Sequence, residues 1–449
     1  MNSNTNQPDN TDFQSVFTIN AEKKLKIQTG GRTDIGGNRT NQDVLFKIQL
    51  PDQNGCLIGV ADGHGEHGEI AAQTTEKCFR SSIQNRFSEL VENPVAFLES
   101  NFEEIQNQIR LELRDLYEKK GLDVQIEENG CISKRNPPSD VYTKLNGYRW
   151  FDVIGGTTLS VVLLLGKIMY IANVGDSSGL LCSKYPILKN SHIKYEKDAA
   201  VPSKIVTNIV NPDEPSSNYI EITVNTHSPE NPAEYVRMRD VKRSEDNPHM
   251  AELMCIYDKQ YEEKVNCPKV FNISEEGIPS VRSDEEINGE YYYKNVRKDK
   301  ATYVTDKTGK RVLAATRALG DFKLNSLGLT YKPEIQSIDL GPVFGELKTK
   351  IDENKATASG GGSEEPVVDP PTICVVLASD GVWDNWIYDH VSKFMMDPSC
   401  LKAINLDQTR GAERVTNSFI IRNDAFAKKN FGRNSDNATG IVMYITEEE

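Results

Sequence analysis

The sequence has no Cys-x-x-Cys pair, no uninterrupted apolar run long enough to cross a bilayer and no surplus of basic residues. Each absence closes off a class. Eight cysteines (Cys56, Cys78, Cys131, Cys182, Cys255, Cys267, Cys374 and Cys400) are scattered through 449 residues. A chain of that length needs no covalent staples, so free thiols in a reducing compartment are expected. The longest apolar stretch, residues 159–174, is broken by Gly166-Lys167 and is too short for a membrane span. The first residues, MNSNTNQPDNTDF, show neither a basic n-region nor an apolar h-region. No secretory leader is expected there, and the chain reads as intracellular and cytoplasmic. With 52 basic against 66 acidic residues, the net charge of −14 argues against a nucleic-acid or anionic-membrane binder.

What remains is close to ordinary soluble composition. Hydrophobic residues make up 37% and charged residues 26%, enough apolar side chain for a buried core. The length suits roughly two or three domains, or one large domain with insertions. No repeat of solenoid period is evident. Residues 1–24 read as a disordered polar lead-in, and 25–449 as one domain. Residues 46–65 read as two strands about an Asn54-Gly55 turn, the second strand ending at Asp62. Ala72, Phe79, Ile83 and Phe87 then share one helical face. Leu98, Phe102, Ile105, Ile109, Leu113 and Leu116 recur at steps of three and four, and Pro94 separates the two stretches. They read as an antiparallel helix pair whose apolar stripes are core. Residues 159–182 form another hairpin, turning at Gly166-Lys167, apolar enough to be covered on both faces. Residues 183–309 are polar, mixed in charge and weakly periodic, and read as a long insertion with some helix near 230–240. A flexible loop is expected at about 354–368 by composition. Thr372–Gly381 is a buried strand entering an Asp-Gly turn, and TGIVMYIT is the last strand. Helix pairs alternating with hairpins point to an α+β domain with antiparallel sheets rather than a parallel doubly wound fold.

Four aspartates share one context. Asp43, Asp62, Asp380 and Asp436 each stand at the end or start of a buried strand. One such residue is ordinarily a turn cap. Four carboxylates brought to one edge repel one another unless cations stand between them. All-oxygen donors favour hard ions such as Mg²⁺ or Mn²⁺ over zinc. The glycines in Asp62-Gly63 and Asp380-Gly381 allow close approach of the backbone. Two such ions would activate a water and hold a phosphoryl oxygen, which points to metal-assisted hydrolysis of a phosphoester.

The segments GRTDIGGNRTNQD, VADGHG, GGTTLSVVLL, NVGDS, THSPENPAEYVRM, ATRALGD, LASDGVWD and SDNATGIV occur in the order seen in the PPM/PP2C metal-dependent protein Ser/Thr phosphatases, which this chain resembles over roughly 27–182 and 310–446. The resemblance implies a four-layer αββα sandwich of two antiparallel sheets flanked by helix pairs, with ions in the cleft between the sheets. It implies that Asp62 bridges two metals, that the Gly63 carbonyl completes one coordination sphere, and that Asp380 and Asp436 hold the other ion. Asp43 would bind metal waters from behind and His64 would be the general acid. Asp176 and Asp384 would form a weaker third metal site. The departures are Gln42, where the family often has Glu, and Asn38, where it commonly has a phosphate-binding Arg. Arg39, one residue on, is the choice for that role over Arg32.

The substrate implied is a phosphoprotein and the chain is expected to act as a monomer, without nucleic acid or membrane. A catalytically silent scaffold of the same family is the rival reading, favoured by Gln42 and the displaced Arg. A two-metal nuclease is disfavoured by the charge, and a zinc site on His64 and His67 by the want of a third ligand. His67 reads as a helix-start residue, and His192, His227, His249 and His390 are given no role. Trp383 and Trp386 read as core groups, Arg317 as a structural ion pair and Asp321 as a cap. Asn38, Asn272 and Asn437 match the glycosylation pattern, and two of them coincide with the candidate site, which fits a chain that never meets that machinery. The segment 183–309 is expected to set the choice of partner.

Overall fold

The computed structural model describes residues 16–19, 24–51, 55–137, 149–198, 215–223, 227–240, 253–259, 263–358 and 370–448. The elements that position the site begin with strands β1 (Val16–Ile19), β2 (Leu25–Asp34), β3 (Val44–Gln49), β4 (Gly55–Ala61) and β5 (Gly63–His64). Helices α1 (Gly68–Asn85), α2 (Phe87–Glu92) and α3 (Pro94–Lys119) follow. Next come β6 (Gly156–Thr157), β7 (Leu159–Leu165), β8 (Ile168–Val174), β9 (Ser178–Ser183), β10 (Ile193–Asp198), β11 (Tyr219–Glu221) and α4 (Pro232–Asp240). The last third holds β12 (Leu319–Gly320), β13 (Glu334–Asp339), α5 (Leu340–Ala358), β14 (Thr372–Ala378), α6 (Asp380–Trp383), α7 (Tyr388–Met395), α8 (Pro398–Leu406), α9 (Gly411–Asn430) and β15 (Ala438–Glu447).

The fold is mixed α/β with antiparallel sheets. One six-stranded sheet runs β1-β2-β15-β14-β9-β11 and the other β10-β13-β8-β7-β4-β3. Alternation along the strands sorts their side chains. Ile58, Val60, Val162 and Ile171 of the second sheet meet Ile373, Val375, Ile441 and Met443 of the first in one buried cluster. The opposite parity of the second sheet, Leu57, Val161, Leu163 and Val174, buries against Phe79, Leu98, Phe102 and Ile105 of α1 and α3. Val376, Val442 and Tyr444 of the first sheet bury against Val391, Val415 and Phe419 of α7 and α9.

Most of the expected elements form where the pattern places them. The 159–182 hairpin turns at Gly166-Lys167, with Leu159 opposite Val174. The apolar stripe of α3 shifts by one residue at its end, so that Tyr117 rather than Leu116 is fully buried. Within the expected lead-in, Val16–Ile19 forms β1 instead, because Phe17 and Ile19 alternate into the core while the strand pairs with β2. The Asn54 turn and most of the 354–368 loop lie outside the described residues, and residues 354–358 belong to α5. All eight cysteines are free. Among the described residues no helix is long and apolar enough to cross a membrane.

The THSPENPAEYVRM island contributes α4, as expected near 230–240, and fixes the neighbourhood of the site. Glu234 is buried between two guanidinium groups: Arg237 at 2.9 Å, and Arg317, whose own contact with the carboxylate is closer still. Thr316 Oγ1 adds a donated hydrogen bond at 2.8 Å. Burial would raise the Glu234 pKa, but the two arginines outweigh it and hold the carboxyl well below its ordinary range. Arg317 is thus the structural ion pair that the sequence suggests. Removing one partner of a buried, hydrogen-bonded ion group leaves uncompensated charge. Glu234→Gln is therefore expected to cost about 3–5 kcal/mol in urea unfolding at neutral pH. A carboxylate with a depressed native pKa contributes fully above its free value, here 4.5, and loses that contribution as pH falls below it. The gap between wild type and variant should accordingly narrow on acidification below that value.

Candidate active site

Strand register brings the acids together. Val44 pairs with Ala61, so Asp43, just before β3, and Asp62, just after β4, leave the second sheet at the same end. Ser178 pairs with Ala378, and Ala378 with Gly440. Asp176, Asp380 and Asp436 therefore share one end of the first sheet. A single hydroxyl ties the two ends: Ser379 Oγ donates to Asp43 Oδ2 at 2.8 Å and accepts the Thr439 N–H at 3.0 Å.

The carboxyl groups sit in one another's field. Burial raises the Asp62 pKa far above the usual range, and the charges of Asp43, Asp380, Asp436 and Asp176 add to it. Burial lifts Asp43 to about 7 against the hydrogen bonds from Ser379 and Thr439. Asp384 rises to about 8, burial again leading. Asp436 is exposed and accepts from Asn38 Nδ2 and from the Asn437 N–H, each at 2.8 Å. The chain passes close here. A Cβ on Gly63 would lie 2.4 Å from the Gly68 carbonyl oxygen, and one on Gly381 would lie 1.9 Å from that of Asn437. Both positions require glycine.

His64 faces the cluster with its Nε2 2.6 Å from Asp321 Oδ2. Burial would lower the imidazole pKa, but the Asp321 charge and hydrogen bond, helped by Asp176 and Asp380, hold it above its ordinary value. Asp321 takes a left-handed backbone, φ 42°, as it enters a short helix and donates its N–H to the Gly155 carbonyl at 3.1 Å. β5, β6 and β12 form a small sheet that brings this segment beside His64.

Other expected residues fall differently. The Gln42 side-chain amide does not turn to the acids; it donates to Gly65 O and Glu69 Oε2, both at 3.1 Å. Asn38 reaches Asp436, whereas Arg39 is exposed and has no ion-pair partner among the described residues. Arg32 donates to Asn417 Oδ1 at 3.2 Å, on α9. His67 precedes α1, with Nδ1 3.3 Å from Glu69. Trp383 and Trp386 are buried, and the Trp383 indole donates to the Ser178 and Ala378 carbonyls.

Two contributors are given no role by the sequence reading. His227 Nδ1 accepts the Gly175 N–H at 3.0 Å, next to Asp176. Lys294, from the long 183–309 segment, lies among the acids, with Nζ 2.7 Å from Asp176 Oδ2 and 3.6 Å from Asp380 Oδ2. Burial would raise the Asp176 pKa, but the ammonium group holds it below its ordinary value.

The donor set fits hard divalent ions in its chemistry. It is all oxygen, and Asp43 Oδ1 and Asp384 Oδ1 are buried with no hydrogen-bond partner. As the side chains stand, no three His, Cys, Asp or Glu among the described residues close round a single point. Mutual repulsion makes Asp62 a liability to the metal-free fold. Asp62→Asn should stabilise chelator-stripped protein by about 1–2 kcal/mol, the scale of unit charges roughly 10 Å apart at intermediate dielectric. With Mn²⁺ the order should reverse, because the variant loses the stabilisation that comes from binding a ligand in the native state. Thermal melts in EDTA and in Mn²⁺ check both signs.

Comparison with known proteins adds to this geometry. The family model described as protein phosphatase 2C matches residues 52–192. No curated protein matches. Among solved structures, serine-threonine phosphatase 2C from Toxoplasma gondii is similar at 13% identity, with 97% of this chain and 99% of that one covered and a TM-score of 0.45. A C. elegans sex determining protein is similar at 15% identity, over 93% of this chain and 64% of that one, with a TM-score of 0.44. The catalytic domain of the serine threonine protein phosphatase PstP, in complex with two manganese ions, is similar at 13% identity over 94% and 100%, with a TM-score of 0.38. The matched residues include β4, Asp62 just after it, His64 and the Asp176 turn, so that this segment of the chain is similar to protein phosphatase 2C.

Proposed function

We propose that the chain is a Mg²⁺/Mn²⁺-dependent protein phosphatase that hydrolyses phosphoserine and phosphothreonine esters. The observation that carries this reading is the meeting of Asp62, Asp176 and Asp380 in one another's field, with His64 and its partner Asp321 alongside. Divalent ions, when bound, supply an activated water and neutralise the phosphoryl oxygens. Asp62 and the Gly63 carbonyl, with Asp380 and Asp436, would hold two ions, and Asp176 with Asp384 a weaker third. Asp43, fixed by Ser379, would orient the water around them. His64 gives its proton to the leaving seryl or threonyl oxygen, and Asp321 steadies the imidazolium beforehand. Arg39, exposed beside Asn38, would meet a phosphate dianion from solvent. No side chain needs to become phosphorylated, so the buried thiols take no part.

The same reading includes a four-layer αββα arrangement, supported by the three buried clusters that alternate with the two sheets. It also takes the protein as a cytoplasmic monomer acting on phosphoproteins. A second reading, a silent scaffold of the same family, is favoured by Gln42 turning to Glu69 and by the lysine among the acids. Phosphate release from a phosphopeptide in millimolar Mn²⁺ separates the two. The enzyme reading expects EDTA to abolish release and Asp380→Asn to reduce it by roughly 10²-fold or more. No release with metal leaves the scaffold, and release that survives both treatments overturns the metal-dependent reading.

A further inference from the structure

The turn that carries Lys294 is built and docked. Ala301 donates its N–H to the Tyr292 carbonyl at 2.8 Å, and Lys294 its N–H to that of Asp299 at 2.7 Å, which closes a loop across residues 292–301. Asn295 Oδ1 accepts the N–H groups of Arg297 and Asp299, each at 3.1 Å, and so stiffens the tip. That tip is fastened to the segment bearing two of the acids. Val296 donates its N–H to the Asp384 carbonyl at 3.0 Å. The Arg297 guanidinium donates to the Trp386 carbonyl at 3.1 Å and also to that of Trp383, and lies 4.8 Å from the centre of the Tyr388 ring. Lys294 projects from this platform with its side chain only about a quarter exposed.

A docked loop that delivers an ammonium group to Asp176 and Asp380, in the field of Asp384, puts one positive charge where carboxylates would otherwise need a metal ion. An ammonium group carries half the charge of a divalent ion and offers hydrogens rather than open coordination positions, so it can neutralise acids but cannot hold a water as a nucleophile. We propose that Lys294 is a tethered cation that occupies the place of one divalent ion beside Asp176 and Asp380, so that this chain works with one fewer bound ion than its acids could hold. The inference rests on the metal-dependent reading above and concerns how that same site is loaded. It also gives the segment 183–309 a role at the cleft itself.

Calorimetric titration of the chelator-stripped full chain with MnCl₂ tests it without reference to activity. Lys294→Met is expected to take up one more equivalent of Mn²⁺ per chain than wild type, and Lys294→Arg to keep the wild-type count. Arg297→Ala, which loosens the loop at a guanidinium paired with Asp299 rather than hydrogen-bonded to Asp176, Asp380 or Asp384, should move the count in the same direction as Lys294→Met and serves if that variant does not fold. Equal counts and affinities in wild type, Lys294→Met and Arg297→Ala overturn the inference and leave the phosphatase reading standing. Failure of wild type and both variants to take up Mn²⁺ overturns the metal-dependent reading, and the inference falls with it.

Discussion

Carboxyl groups crowded at one end of two facing sheets repel one another, and a positive charge among them is the condition under which they stay ionised together. That constraint organises the rest. The strands deliver Asp43, Asp62, Asp176, Asp380 and Asp436 to a shared edge through fixed pairing, and the buried clusters on both sides of each sheet keep the pairing from sliding. In an extended chain these groups would be solvated and far apart. The core holds them close, at the cost of the raised pKa values of Asp43, Asp62 and Asp384.

The long middle segment answers that cost in two ways. Its Lys294 faces Asp176 and Asp380 directly. Its α4 brings Glu234 to Arg317, and His227, five residues before that helix, accepts from the turn that carries Asp176. The segment Thr316–Asp321 is thereby held between a buried ion cluster at one end and the His64 contact at the other. A region that reads as an insertion is in this way part of the scaffold of the cleft.

The sequence made the sheets and the acid cluster legible for a physical reason. Continuous apolar runs such as 159–165 and 372–378 need cover on both faces, and an aspartate at the end of such a run must emerge at the sheet edge. The helix pair was legible because its stripe recurs at helical spacing, and its single phase slip, Tyr117 for Leu116, falls in the last turn. Lys294 gave no comparable signal, and Glu234, His227 and Asp321, though they lie in recognisable segments, could not be assigned their partners locally. Lys294 lies 118 residues from Asp176, in chain without periodicity, and nothing local marks it as facing an acid. Asp321 looked like a cap because its partner His64 is 257 residues away. β1 is four residues long, too short for alternation to stand out from a polar lead-in. Gln42 and Arg39 could be located but not oriented, since the direction of a side chain in a loop depends on neighbours such as Glu69 that the local sequence does not single out.

The contact at Gly381 has a consequence for the whole cleft. Main chain meets main chain there, with no room for a single carbon between Gly381 and Asn437. The spacing of Asp380 and Asp436, which come from separate strands, is therefore a dimension of the backbone rather than of any side-chain fit. Reshaping the apolar interior, however extensive, leaves that spacing as it is. Only the gain or loss of a residue in one of the two turns, or a side chain in place of the glycine, changes it.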